Sequence, residues 1–257
     1  MLLASKICIV VGAASERGIG FATSKLFYDH GAPVIAVDIQ MDDDRVEALN
    51  RAISGEQGDA IRIAGYRCDI TDRRACQDIV QRVLDSSGRI DCLVNCAGIV
   101  KAQPLLDIEE QDFDRLVNVN LKGTFNICQS VLEPFEVQRG GSLVNVASVA
   151  AQRGGGLVGG AHYAASKGGV ISLTKSIARE FGPLGVRANV ICPSLIETGM
   201  LEGNMNQDRL DAIVRQVPLA RAGRPSDVAG ACLFLASDLS AYITGATLDV
   251  NGGSHIH

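Results

Sequence analysis

Ile7-Cys8-Ile9-Val10-Val11-Gly12-Ala13-Ala14-Ser15-Glu16-Arg17-Gly18-Ile19-Gly20 carries most of what the chain says about its architecture. The first five residues are a β-branched run and read as a buried strand. Gly12, Gly18 and Gly20 then allow a tight turn and a close approach of backbone to an anion. Ile19, Ala22, Leu26 and Phe27 follow at helical spacing, and Gly31 is a stop signal. The N-terminal N–H groups of that helix point at whatever lies over the turn, an arrangement suited to a pyrophosphate. A glycine cluster alone also reads as a flexible loop. Its position between a first strand and a first helix is what favours phosphate binding, with Gly12, Ser15, Arg17, Gly18, Ile19 and Gly20 as the candidate contacts. Ile7–Val11 after Lys6 has some likeness to a short signal peptide, but the same run is needed as the first strand.

Further β-branched runs lie at Val34–Val37, Ile61–Cys68, Cys92–Val94, Leu143–Val146, Val186–Ile191 and Thr247–Val250. Amphipathic helical patterns separate them. Ile79, Val80 and Val83 share a face before Ser86-Ser87-Gly88. Phe113, Leu116, Val117, Asn120 and Leu121 begin a long helix. Val170, Leu173, Ile177 and Phe181 continue one that starts near Ala161, and Val228, Cys232 and Leu235 mark the last. Alternation of this kind implies right-handed βαβ crossovers. The expected fold is α/β: a Rossmann-type, doubly wound parallel sheet of about seven strands between two helical layers, as one domain over residues 1–257. Ligands of such sheets bind beyond the carboxyl ends of the strands.

Composition narrows the function. The 257 residues are 47% hydrophobic but 4% aromatic, with no Trp, so aliphatic side chains build the core, as suits parallel strands buried on both faces. The net charge is −5 and no basic stripe appears, which argues against nucleic acid and anionic membrane as partners. No apolar run reaches about 18 residues. The eight cysteines form no Cys-x-x-Cys pair and no cluster with His at zinc spacing, so no metal is expected. Several sit within apolar runs and read as buried thiols of a cytoplasmic protein.

Two strand ends add chemistry. Asp38 ends the second strand, where a carboxylate accepts both hydroxyls of an adenosine ribose and repels a 2′-phosphate. That favours NAD over NADP. Arg17 argues the other way, because a guanidinium beside the ribose pairs with such a phosphate. Asp69, followed by Ile70, either caps the next turn or contacts an adenine. At the other end of the fold, Tyr163-Ala164-Ala165-Ser166-Lys167 puts Tyr163 and Lys167 on one helix face. A phenol of pKa about 10 is lowered by a nearby ammonium and can then exchange a proton with an alcohol oxygen. Ser148 follows the Leu143–Val146 strand, where its hydroxyl would bond a substrate oxygen or cap a turn. Asn120 would hold a water linking Lys167 to solvent or serve as a buried hydrogen-bonder. His162 is adjacent to Tyr163 and reads as structural.

In order, the glycine loop, Asp69, Asn95-Cys96-Ala97-Gly98, Asn118-Val119-Asn120-Leu121, Ser148, Tyr163/Lys167 and Pro193 resemble the short-chain dehydrogenase/reductase family. The resemblance runs from Gly12 to Asn251-Gly252-Gly253. It implies a catalytic tetrad of Asn120, Ser148, Tyr163 and Lys167, with Tyr163 as acid/base and Lys167 also bonding the nicotinamide ribose. It implies that Asn95, Ala97 and Gly98 support the adenosine side and the sheet, and that Pro193, Ile196 and Thr198 lie along the nicotinamide. The implied activity is hydride transfer between NAD and a small secondary alcohol or ketone, in a homotetramer. The Val217-Pro218-Leu219 and Gly223-Arg224-Pro225 stretches resemble the 3-oxoacyl-thioester reductases, a second reading that Asp38 opposes because biosynthetic reductases usually take NADPH. A non-catalytic NAD-binding regulator is a third, opposed by the intact tetrad. Three departures stand out. Five residues separate Gly12 from Gly18 where three are usual, a spacing similar to the enoyl-reductase branch, although the slot of that branch's tyrosine, position 160, is Gly. Ser148 and Tyr163 are two residues further apart than usual, across the Gly-rich Arg153–Gly160 stretch. Ser194 follows Pro193 where Gly is typical. A substrate lid is expected from Leu195 to about Val217, mixing Met200, Leu201 and Met205 with Glu202, Asn204 and Asn206.

Overall fold

A computed structural model describes residues 1–54, 63–155, 158–199 and 207–256. Seven strands form one parallel sheet in the order β3-β2-β1-β4-β5-β6-β7: β1 (Cys8–Val11), β2 (Val34–Asp38), β3 (Ala64–Arg67), β4 (Cys92–Asn95), β5 (Gly141–Val146), β6 (Val186–Pro193) and β7 (Thr247–Val250). Each strand lies within about three residues of its expected position; Ile61 and Arg62, at the start of the expected third strand, lie outside the described residues. The strand order reverses between β1 and β4, and their carboxyl ends, Val11 and Asn95, stand side by side in register. That reversal opens the crevice in which such sheets bind ligands. The Ile7–Val11 run is an interior strand of the sheet, fully buried over Cys8–Val11, so in this fold the run that resembles a signal peptide is core.

Alternate residues of each strand face opposite helical layers. Cys8, Val10, Val34, Ala36 and Val94 meet α1 (Ile19–Asp29), α2 (Asp43–Ser54) and α9 (Pro225–Ala236). Ile9, Val11, Ile35, Val37 and Leu93 meet α3 (Arg73–Ser87), α5 (Thr124–Gln138) and α7 (Ala161–Phe181). Three shorter helices, α4 (Glu110–Val117), α6 (Ala150–Arg153) and α8 (Gln207–Val214), sit in the connections.

Two elements depart from the sequence reading. The fully buried stripe of α1 is Gly20, Thr23, Ser24 and Phe27; of the expected Ile19, Ala22, Leu26 and Phe27, Phe27 lies in it, while Ile19 and Leu26 pack on the core at its edge. The cause is the glycine turn: a Cβ on Gly20 would sit 2.2 Å from Gly12 O, so the helix docks through its smallest residues. The long helix expected from Phe113 is interrupted by a wide turn at Asn118–Gly123 with π-type hydrogen bonding, a feature found frequently at functional sites. In a regular α-helix four residues overshoot a full turn, and two such steps drift by about 80°. The wide turn absorbs that drift and keeps Leu116, Asn120 and Thr124 all directed inward.

Candidate active site

One cavity of about 710 Å³ runs along the carboxyl ends of the strands, within the size range of small-molecule and cofactor sites. At one end it is lined by Gly12, Ser15, Gly18, Ile19, Gly20, Asp38, Asp69 and Ile70, and at the other by Ser148, Tyr163, Lys167, Pro193, Ile196 and Thr198, with Ala97 and Gly98 between.

The glycine turn is built for close approach. Gly12 has φ +81°, and a Cβ there would lie 2.8 Å from Ala97 N; the left-handed conformation and the contact both call for glycine. The extra residues form an exposed bend closed by Gly18 N donating to Ser15 O at 2.8 Å. Ser15 and Ile19 line the cavity; Arg17 is exposed on the bend and is not in the lining. No side chain caps the α1 N-terminus, so its first N–H groups are available to an anion. The Asp38 carboxylate accepts from Ala14 N and Gln40 N, each at 3.0 Å. It is thereby fixed at the cavity rim beside the glycine turn. Asp69 accepts from Thr71 N at 2.9 Å and Thr71 Oγ1 at 2.8 Å, which is the turn-capping alternative. A dinucleotide fits this cradle: an open helix N-terminus, a turn whose glycines let the backbone come close, and a fixed carboxylate beside it.

Asn95 stays behind the wall. Its Nδ2 donates to Thr124 Oγ1 at 2.9 Å and its Oδ1 accepts from Ala97 N at 3.2 Å, so it shapes the β4 exit without lining the cavity. Asn120 is also fully buried and outside the lining. Its Oδ1 accepts from Ile99 N at 2.8 Å, and its Nδ2 donates to Ile99 O at 2.9 Å and Ser166 Oγ at 3.1 Å. The side chain is fully engaged and pins the loop after β4 to α7; the buried hydrogen-bonder of the two sequence alternatives is the one seen.

The Tyr163 hydroxyl faces Ser148 closely enough for the serine to act on its ionisation, and Ser148 Oγ accepts from Ala150 N at 3.1 Å, so the serine also caps α6. The tyrosine ring packs on Gly159, where a Cβ would lie 2.2 Å from its Cδ1. The glycines in the long Ser148–Tyr163 connection therefore make room for the ring. Lys167 Nζ donates to Val146 O at 2.8 Å. Burial pulls its ammonium down to about 8. The expected lowering of the phenol by Lys167 is not seen. Burial dominates and pushes Tyr163 above its usual value, the neighbouring Ser148 hydroxyl opposes this, and Cys192 adds a smaller upward push. Lys167, its own positive charge disfavoured by burial and its ammonium turned to Val146 O, does not offset the burial of the phenol.

Sequence reasoning missed Arg115, Asn118, Val119 and Arg153, which also line the cavity. The helical phase of Arg115 and Asn118 was hidden by the wide turn, and Arg153 is brought in by α6. Ser194 Oγ is 2.9 Å from Ser254 Oγ, which ties the β6 exit to the C-terminal segment. Of the expected lid, residues 200–206 lie outside the described residues. Among the described residues no group of three His, Cys, Asp or Glu could hold a metal ion, and no helix is long and apolar enough to cross a membrane.

His162 is fully buried with neither ring nitrogen hydrogen-bonded. Burial lowers its pKa from 6.5, Asp112 opposes and Lys101 assists. The unfolded chain therefore binds this proton at higher pH than the fold does, and stability falls as pH drops below about 6.5. His162→Leu is expected to flatten that acid limb. Urea midpoints measured at pH 7.5 and at steps below 6.5 check it, and an unchanged acid slope in the variant would contradict it.

Residues 12–255 match the family model described as enoyl-(acyl carrier protein) reductase. The chain is 45% identical over 257 residues to an uncharacterized short-chain type dehydrogenase/reductase of Sinorhizobium fredii, covering 100% of both. It is 43% identical over 253 residues to a 3-oxoacyl-[acyl-carrier-protein] reductase of Thermotoga maritima, covering 98% of this chain and 99% of the relative. A D-threitol dehydrogenase of Mycolicibacterium smegmatis is 38% identical over 251 residues, covering 98% and 93%.

Proposed function

Because this chain belongs to the short-chain dehydrogenase/reductase family, and so is an oxidoreductase that exchanges a hydride with a nicotinamide cofactor, we propose that it is NAD-dependent and interconverts secondary alcohols and ketones with Tyr163 as acid/base. The observation that carries this reading is that Tyr163 and Ser148 stand together in the same cavity as the fixed Asp38 carboxylate. The bound nicotinamide supplies or takes the hydride. Tyr163 Oη gives or takes the proton at the substrate oxygen, and Ser148 bonds that oxygen as its charge changes. Lys167 holds a positive charge one helical turn from the phenol and would bond the nicotinamide ribose. Asn120 acts from behind by fixing Ile99 and Ser166. Gly12, Ser15, Gly18, Ile19 and Gly20 would hold the pyrophosphate, and Pro193, Ile196 and Thr198 the nicotinamide end. The chain would work as one domain, in a cytoplasmic homotetramer.

Asp38 supports NAD because its carboxylate would face a 2′-phosphate with like charge. Arg17 is exposed and outside the cavity lining, which supports NADP less than a guanidinium within the cavity would. The test is thermal stability with NAD, NADH, NADP and NADPH titrated separately, since a ligand of the native state raises the melting temperature by mass action. A shift with NAD or NADH alone is expected. Asp38→Ala is expected to reduce the preference for NAD over NADP by about tenfold or more, the worth of a charge-assisted hydrogen bond. Unchanged discrimination counts against the ribose contact.

The second reading, an NADPH-dependent acyl-thioester reductase, is favoured by the resemblance to the Thermotoga maritima reductase. A shift with NADPH alone would select it. The enoyl-reductase description of the family model finds no support at position 160, which is Gly.

A further inference from the structure

The charges along the cavity are segregated. Among the described residues its lining acids are Asp38 and Asp69, both at the glycine-turn end, and its lining bases are Arg115, Arg153 and Lys167. Lys167 is buried and committed to Val146 O. Arg153 is different. It closes the single turn of α6, which opens two residues after Ser148, and it stands on the exposed side of the wall that carries Gly155, Val158 and Gly159 towards Tyr163.

Its guanidinium is held from one side. Nη1 donates to Ser254 O at 3.1 Å, and Ser254 Oγ in turn meets Ser194 Oγ at 2.9 Å, while Ser194 N donates to Val250 O. Arg153, Ser254 and Ser194 thus link three segments around the Tyr163 end: α6, the C-terminal stretch and the β6 exit. Nε and Nη2 of Arg153 make no hydrogen bond or ion pair with any described residue. A guanidinium steadied at one nitrogen, with the other two donors unused, matches the two oxygens of a carboxylate or phosphate. Among the described residues no acidic side chain lines this end to neutralise it.

Building on the oxidoreductase reading, we propose that the substrate carries an anionic group, a carboxylate or phosphate, close to its reacting carbon, and that Arg153 binds that group and so sets specificity. A purely neutral alcohol would leave the two donors to water.

The experiment saturates the enzyme with NAD and then titrates malonate, inorganic phosphate or neutral malonamide while following the melting temperature. In the native chain, malonate or phosphate raises it and malonamide does not; which anion acts distinguishes carboxylate from phosphate. Arg153→Met weakens the effective anion by about tenfold or more, the loss of a charge-assisted pair. Arg153→Lys keeps the charge without the fork and falls between, which covers a Met variant that folds poorly. Absence of any anion shift in the native chain, or equal shifts in native chain and variants, overturns the proposal. Failure of NAD itself to shift the protein overturns the cofactor reading instead, and the anion titration of the unliganded chain against its variants still decides the role of Arg153.

Discussion

Tyr163→Phe is expected to lower kcat by about 10²–10⁴-fold, the usual contribution of a positioned acid/base, while the melting shift given by NAD persists. The substitution keeps the ring, and with it the packing on Gly159, and removes only the hydroxyl that faces Ser148. The loss is therefore chemical. Turnover with a secondary alcohol and NAD, compared with the thermal shift on the same preparations, separates the two effects. Activity above about a tenth of the native rate would show that another group moves the proton, because general acid–base catalysis rarely contributes so little.

Lys167→Met is expected to act in the opposite direction on stability: the unliganded variant should be more stable at pH 7 although turnover is lost. Burial lowers the lysine from 10.5 to about 8. At about 1.4 kcal/mol per unit, holding the charged form in the fold costs about 3 kcal/mol. Met has similar volume and no charge, but it leaves Val146 O without its donor, which returns about 1–2 kcal/mol of that gain. A net stabilisation of about 1–2 kcal/mol should remain. The slope has the same sign as for a carboxylate held low by pairing, although here the charged form is the one that weakens the fold. Between pH 8 and 10.5 the unfolded chain carries the proton that the fold has released, so the native protein gains stability with rising pH in that window. The variant's advantage should be largest below pH 8 and fade towards 10.5. Denaturant unfolding of both proteins across that range measures it, and a variant less stable at every pH would mean that the ammonium is well solvated or well paired in the fold. The prediction also says why the residue is there: a group that weakens the fold is retained for its chemistry.

The alternation of apolar runs with helical patterns made the sheet legible, because strands buried on both faces leave unbroken runs such as Ile7–Val11 and Val186–Ile191. Asp38, Ser148, Tyr163 and Lys167 were legible because each sits at or just beyond a strand end, or at helical spacing from such a residue. What could not be read depends on contacts between distant parts of the chain. The phase of α1 follows from Gly20 meeting Gly12, which a hydrophobic pattern does not encode. The state of Lys167 depends on burial and on Val146 O. Arg153 becomes a cavity residue only because α6 and Ser254 hold it there. The helix α2 could have been found from Val46, Leu49 and Ile53, whose spacing fits one helical face, but its flanks are so polar that strand signals overshadow it.

The wide turn at 118–123 also bears on how such a chain can change through inheritance. Substitutions on the outer faces of α4 and α5 alter little, but each residue of a helix advances the chain by about 100°. Losing or gaining one residue inside the turn would rotate everything beyond it and carry Thr124, Ile127 and Val131, all buried now, away from the sheet they pack on. Asn120 is thus tied to a chain length as much as to a side chain: a lineage could replace the asparagine and keep its fold, but it could not drop a neighbour.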